Sequence, residues 1–235
     1  MRKTGFLLIL AIAAALLSSP AFAGTVGPNC GTCNGGIYSL TYTFAGVDSH
    51  GNNLVDVTLT IDTNHILDPA YNPDATAFAA GAPIRIDNVA VKVSSSIVGG
   101  VLTQAPGGVN DWIVFSGGIN NSGCNTPKNG NGFDCADASS LNGAPVVPTS
   151  PLVWVFQLTL PQDTVVALGP DGASIKARYV DKSGNHIGSL VSTDITLTLT
   201  PPLTQVPEPG SMTLLGAGLL AVGGLLRRRG SFNTH

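Results

Sequence analysis

Apolar and polar residues alternate along much of the chain, with the two-residue period of β-strands that bury one face. From Tyr38 to Phe44 apolar side chains alternate with Ser and Thr, and Val55 to Ile61 repeats this pattern around Asp and Thr. Further strand-like segments are residues 89–93, 97–103, 112–116, 152–160, 175–180 and 195–200. About eight short strands predict an all-β fold, specifically an antiparallel β-sandwich.

Two links between these strands share the sequence Asp-x-x-Gly-Asn, at residues 48–52 and 181–185. Asp accepts backbone hydrogen bonds at the start of a turn, and Gly adopts the left-handed conformation that follows. We therefore expect two β-hairpins. Ca²⁺ sites are the alternative, but neither segment has the EF-hand spacing or a bidentate acid. One helix is expected over residues 74–80, with Asp74 available as its N-cap.

The N-terminal segment has the features of a secretory signal peptide. Arg2 and Lys3 precede an apolar stretch at residues 6–17, and Ala21-Phe22-Ala23 forms a small-x-small cleavage site. The expected signal peptide is residues 1–23, and it implies export through the Sec pathway. Residues 24–203 then form the extracytoplasmic β domain.

The charge balance of that domain excludes one class of partner. The whole chain has 11 Lys and Arg against 14 Asp and Glu, but five of the cations lie in its two end segments. The domain keeps six cations against 13 Asp, a formal charge of −7. Nucleic-acid binding depends on Lys and Arg that neutralise phosphates, so we expect no nucleic-acid partner.

The four cysteines are Cys30, Cys33, Cys124 and Cys135. An exported chain meets oxidising conditions, and four cysteines allow three disulfide connectivities. We expect local pairing, because the turn-rich segment between Cys124 and Cys135 buries too little apolar area to order itself. Closing that loop contributes roughly 3 kcal/mol in the chain-entropy model. The alternatives for Cys30-x-x-Cys33 are a redox site or a zinc site, but the sequence offers no βαβ context.

Motifs of common enzymes are missing from the sequence, including Gly-x-Ser-x-Gly, His-Glu-x-x-His and a phosphate-binding Gly-rich loop. The four histidines, at positions 50, 65, 186 and 235, occupy expected turns or ends. Glycosidases need two carboxylates, and an Asp pair that only folding brings together stays open. We expect a protein that is not an enzyme and that carries no cofactor or metal.

The C-terminal segment combines three features: Val206-Pro207-Glu208-Pro209, an apolar run over residues 212–226, and Arg227-Arg228-Arg229. As a helix the apolar run is roughly 22 Å long, short of the about 30 Å of a hydrocarbon core. The arginines favour a cytoplasmic end. The two prolines hold the only Glu of the chain in an extended segment that a processing enzyme can bind.

This arrangement over residues 204–235 resembles the PEP-CTERM sorting signal of exported bacterial proteins. The resemblance implies recognition by an exosortase, a membrane-embedded Cys transpeptidase-like enzyme that cleaves near Pro207-Glu208-Pro209. It also implies a Gram-negative bacterium that makes exopolysaccharide or biofilm matrix, an inner-membrane intermediate, and delivery to the cell surface or extracellular matrix. A plain single-pass anchor is the alternative, and it shares the same topology.

Three functions remain open for the β domain. The first is a non-catalytic structural or adhesive protein of the surface or extracellular matrix. The alternative is a carbohydrate-binding module, with or without Ca²⁺, for which Tyr71 and Trp112 are the candidate ligand contacts because Trp154 lies in a strand pattern that predicts burial. A secreted hydrolase ranks third, since no local motif supports it.

Overall fold

The computed structural model describes residues 21–120, 122–124, 132–138, 143–146, 150–164, 166 and 169–200. These residues belong to a compact unit that ends at Thr200 and contains every described strand pairing. Its strands are β1 (Ala21–Val26), β2 (Ile37–Val47), β3 (Asn53–Asp62), β4 (Arg85–Lys92), β5 (Gly99–Gln104), β6 (Trp112–Ser116), β7 (Ile119–Asn120), β8 (Gly123–Cys124), β9 (Phe133–Ala138), β10 (Ala144–Pro145), β11 (Leu152–Leu160), β12 (Gly169–Val180) and β13 (His186–Thr200). The helix α1 covers Ala75–Ala80, and a 3₁₀ turn covers Val109–Asp111.

Ten strands form one antiparallel path in the order β5-β11-β3-β2-β1-β13-β12-β4-β9-β6. Strand β10 pairs with β4 beside this path, and β7 pairs with β8 as a separate ribbon. The end strands β5 and β6 contact each other without a ladder, so the sheet is nearly closed and barrel-like.

The all-β, antiparallel prediction is confirmed, whereas the division into two separate sheets of a sandwich is corrected. The reason is the length of β13, which has 15 residues. Its end at Thr198–Thr200 pairs with β1, and its preceding residues pair with β12. One strand therefore carries the hydrogen-bonded path from one face of the molecule to the other.

The core lies between the two faces and follows the predicted alternation. Every second residue of β2, β3 and β11 is buried along most of their lengths. Trp154, Phe156, Leu59 and Tyr38 are among its largest fully buried side chains. All eight predicted strands are present, and the sequence analysis missed β1, β9 and the short strands β7, β8 and β10.

Both predicted hairpins form, between β2 and β3 and between β12 and β13. Asp48 Oδ1 accepts the backbone N–H of His50 at 2.8 Å and of Asn52 at 2.9 Å. Asp181 Oδ1 accepts the corresponding two N–H groups of its own turn, both at 2.8 Å. The predicted helix is also present as α1, although the side chain of Asp74 makes no capping hydrogen bond.

Candidate functional site

The predicted sorting signal lies outside the described residues. This holds for Val206, Pro207, Glu208 and Pro209, for the apolar run over residues 212–226, and for Arg227, Arg228 and Arg229. Among the residues that the structure describes, no helix is long and apolar enough to cross a membrane. The described residues are therefore those of the β domain alone.

Both predicted disulfides form. Cys30 pairs with Cys33 ahead of β2, with Cα atoms 5.1 Å apart, and Cys124 pairs with Cys135 across 5.7 Å. The second bridge ties the β7–β8 ribbon to β9, in which Cys135 is fully buried. In the described part of the chain, no three His, Cys, Asp or Glu side chains are grouped as a metal site would require.

The Cys30–Cys33 bridge is connected to the core through two tyrosines. The hydroxyl of Tyr38 donates to the carbonyl oxygen of Cys33 at 3.1 Å, and it lies 2.5 Å from the hydroxyl of Tyr179. Tyr38 therefore accepts from Tyr179 and donates onward to Cys33. Burial raises the pKa of both tyrosines, so both stay protonated and keep this chain of hydrogen bonds intact.

The two predicted ligand contacts differ in their surroundings. Trp112 is only 6% exposed, its indole N–H donates to the Pro106 carbonyl at 2.9 Å, and its ring meets Trp154 edge-on at 5.5 Å between centroids. Trp112 is thus a core residue, and its ring is not accessible for stacking against a ligand. Tyr71 is half-buried beside the His65 ring, 4.4 Å away, and its role in ligand binding stays a prediction.

Folding creates a polar cleft of about 360 Å³ that the sequence analysis did not identify. Its polar lining comes from four separate parts of the chain: Arg85, Asp87, Ser122, Asp137, Arg178 and Ser183. We name this the polar cleft. Arg178 lies opposite Asn88, which in turn lies opposite Asp137, so the register of β12, β4 and β9 brings these side chains together.

An ion pair organises the polar cleft. Arg178 Nε lies 3.0 Å and 3.2 Å from the two carboxylate oxygens of Asp87, and Arg178 Nη2 also donates to Asp87 Oδ2. This hydrogen bonding with Asp87 raises the pKa of Arg178. Burial raises the pKa of Asp137, and the hydrogen bond from Asn88 opposes that shift. The cleft therefore holds positively charged hydrogen-bond donors and negatively charged acceptors in fixed positions. Such a lining suits a neutral ligand rich in hydroxyl groups.

One signal for the polar cleft was present in the sequence. Arg85-Ile86-Asp87 alternates charged and apolar residues, and the structure places Ile86 in the core while the two charged side chains line the cleft. Its other carboxylate, Asp137, lies on β9, whose sequence Phe133–Ala138 has no regular alternation. Without that strand, the placement of Asp137 in the same cleft as Asp87 could not be inferred.

A second polar residue of β9 is enclosed in the protein. Asp134 is fully buried, and neither of its carboxylate oxygens makes a hydrogen bond of normal geometry. Burial raises its pKa to about 6, and the nearby Ser116 hydroxyl opposes this shift only partly. Gly100 of β5 lies directly over the carboxylate, where a larger residue would overlap Asp134 Oδ2. Asp134 therefore lies where β5, without pairing to either strand, packs against β9 and β6 at the end of the strand path.

Comparison with known proteins bears on the C-terminal segment. The PEP-CTERM protein-sorting motif matches residues 205–229, a range that includes the Pro-Glu-Pro sequence and the three arginines. Neither the curated proteins nor the solved structures gave a match to this chain. The motif implies recognition by an exosortase and export to the cell envelope or surface. The chain therefore carries the PEP-CTERM protein-sorting motif, which supports an exported protein that is targeted to an exosortase.

Proposed function

We propose that the protein is a non-catalytic, structural or adhesive component of the surface or extracellular matrix of a Gram-negative bacterium, associated with exopolysaccharide or biofilm. The sorting motif at residues 205–229 carries this proposal, because it directs the β domain to the outside of the cell. The domain suits such a location. Two disulfides hold it together in oxidising conditions, and its formal charge of −7 favours solubility.

The proposed route has three steps. The signal peptide takes the chain through the Sec pathway and is cut after Ala23. The short apolar segment then holds an inner-membrane intermediate, with Arg227–Arg229 on the cytoplasmic side. An exosortase cleaves near Pro207-Glu208-Pro209, and the β domain reaches the surface or the matrix, where extracellular polysaccharide is its partner.

The test compares the intact mass and the location of the protein in its own host for wild type and Glu208→Ala. We expect wild type to lack the residues from Met212 onward and to appear at the surface or in the medium. Glu208→Ala should keep the full C-terminal segment and stay in the membrane. Thr204→Ala is the matched control in the same segment and should behave like wild type. If wild type also keeps its tail and stays embedded, the segment is a plain anchor.

A second function, carbohydrate binding, is favoured by the polar cleft. Its paired Asp and Arg side chains can share hydrogen bonds with sugar hydroxyls. Electrophoresis in a gel that contains the host's polysaccharide should retard wild type, and Asp137→Asn should lose the retardation. Asp163→Asn, in an exposed loop, is the control that should keep it. Equal mobility of all three proteins with and without polysaccharide contradicts this function. A rise in melting temperature with Ca²⁺ would identify a Ca²⁺-dependent form.

A further inference from the structure

Strand β1 is the link between β2 and β13, and half of it consists of the last residues of the predicted signal peptide. Its pairs with β13 are Ala21↔Thr200, Phe22↔Leu199 and Ala23↔Thr198. Its first pairs with β2 involve the same three residues, opposite Thr43, Tyr42 and Thr41. Cleavage after Ala23 removes all three, so the described pairing between β1 and β13 is lost completely.

The removed residues also contribute to packing. The ring of Phe22 stacks on that of Tyr42, with 4.6 Å between centroids and 3° between the planes, and it packs against the core. The hydroxyl of Thr198 donates to the Ala23 carbonyl at 3.3 Å. After cleavage, residues 24–26 remain paired with β2 only. A slot one strand wide and three residues long then lies between β2 and β13, with the Tyr42 ring uncovered.

We propose that this slot, whose opening rests on the proposed export and cleavage, takes up the segment 204–207 of a second copy of the chain, with Val206 in the place of Phe22. Unpaired strand edges bind extended segments readily, because each backbone group of the edge gains a hydrogen bond. The occupant needs one apolar side chain over Tyr42. Val206 supplies this side chain. Because Pro207 has no backbone N–H to donate, the apolar contact of Val206 contributes most of the binding free energy.

Direction and charge both favour this occupant. Strands β2 and β13 each run antiparallel to β1, so a segment that pairs with both must run in the direction of β1. Its C-terminal end then meets the new amino group of Gly24. Release by hydrolysis after Pro207 gives the segment a free carboxylate at that position, opposite in charge to the amino group. Four extended residues span about 13 Å, enough to fill three pairs of about 10 Å.

The sequence after Thr200 disfavours insertion of the segment of the same molecule into the slot. That segment would have to reverse direction immediately after Thr200, through Pro201-Pro202. Each proline fixes φ near −65°, and the second disfavours the helical conformation of the first, so the sequence disfavours a tight hairpin there. Each copy then donates one segment and accepts another, and this head-to-tail contact builds open chains of molecules.

The test uses chains that are exported behind their own signal peptide and end at Pro207 through a stop codon, which retains the complete compact unit and removes the exosortase step. Intact mass establishes that they start at Gly24. Wild type should sediment faster as its concentration rises. Val206→Asp should sediment as a monomer at every concentration, whereas Leu203→Asp, the same change outside the slot, should associate like wild type. Insertion of Val-Phe-Val between Ala23 and Gly24 refills the slot from the same chain and should also give a monomer.

Hydrogen exchange adds a reading at the slot itself. Among the backbone amides of Thr198, Leu199 and Thr200, those that face the slot should be protected in associated wild type and should exchange faster in Val206→Asp. A wild type that is monomeric at every concentration, association that survives Val206→Asp, or a mass that retains Ala21–Ala23 each overturns the proposal. Failure of sorting is seen separately, in the full-length Glu208→Ala experiment, because these chains never meet an exosortase.

Discussion

Replacing Asp134 by Asn should stabilise the protein at neutral pH. The carboxylate is fully buried on β9 without a hydrogen bond of normal geometry, beneath Gly100 of β5. A buried charge that lacks partners opposes folding, because water solvates it in the unfolded chain. Asn has nearly the same shape and no charge, so the substitution removes this cost and leaves the packing of β5 over β9 unchanged.

The magnitude follows from the pKa of Asp134, which burial raises from 3.8 to about 6. The folded state therefore binds the proton more tightly than the unfolded state. Stability from this group is fully present below pH 3.8 and is lost as the pH rises through about 6. The total loss is about 3 kcal/mol, an upper bound because relaxation and water entry reduce the cost of a buried charge. Asp134→Asn should gain up to this amount at pH 7.

The assay is urea unfolding of wild type and Asp134→Asn at several values between pH 4 and pH 7, with both disulfides intact. An unsatisfied Asn amide would destabilise the variant by the same amount at every pH. The diagnostic quantity is therefore how the difference in unfolding free energy between Asp134→Asn and wild type changes with pH. We expect the difference to grow in favour of the variant as the pH rises. Asp163→Asn, in an exposed loop, controls for removal of one charge. A difference that stays constant across this range refutes the reasoning.

Two further predictions concern links that hold β9 and β2 in place. Replacing Cys124 and Cys135 together by Ser opens a bridge with a sequence separation of 11 and should cost about 3 kcal/mol of unfolding free energy, measured in urea; an unchanged midpoint contradicts this expectation. Tyr179→Phe removes one donor and should cost about 1 kcal/mol, whereas Tyr38→Phe leaves the Cys33 carbonyl without that donor and should cost more. Equal losses in thermal melts of the two Phe variants would argue against the proposed donor order.

The alternation of apolar and polar residues identified the strands that bury only one face, because burial on one side imposes a two-residue period on the sequence. Strand β2 shows this most clearly, since Tyr38, Leu40 and Tyr42 are buried and the residues between them are not. Strand β9 lacks the period because five of its six residues are buried, Asp134 among them. A strand enclosed on both sides carries no alternation to read.

The closure of the sheet was beyond sequence reasoning for a different reason. It depends on long-range pairing, in which β13 meets β1 at one end and β12 along the rest. Period and turn residues fix the neighbours within a hairpin, as Asp48 and Asp181 do, but they do not fix which hairpins pair with one another. The polar cleft has the same origin, because Asp87, Asp137 and Arg178 come from strands that only the tertiary register brings together.

Ala21-Phe22-Ala23 meets two requirements that come from different processes. Signal-peptide cleavage requires small residues at the first and third positions before the cut, and a strand between β2 and β13 places alternate residues on the same face. Small residues at 21 and 23 with an aromatic residue between them satisfy both, because Phe22 alone stacks on Tyr42. Under the proposed cleavage after Ala23, the same tripeptide completes the sheet of the precursor and marks where that sheet opens. In this proposal, export and the final architecture of the domain are linked at these three residues.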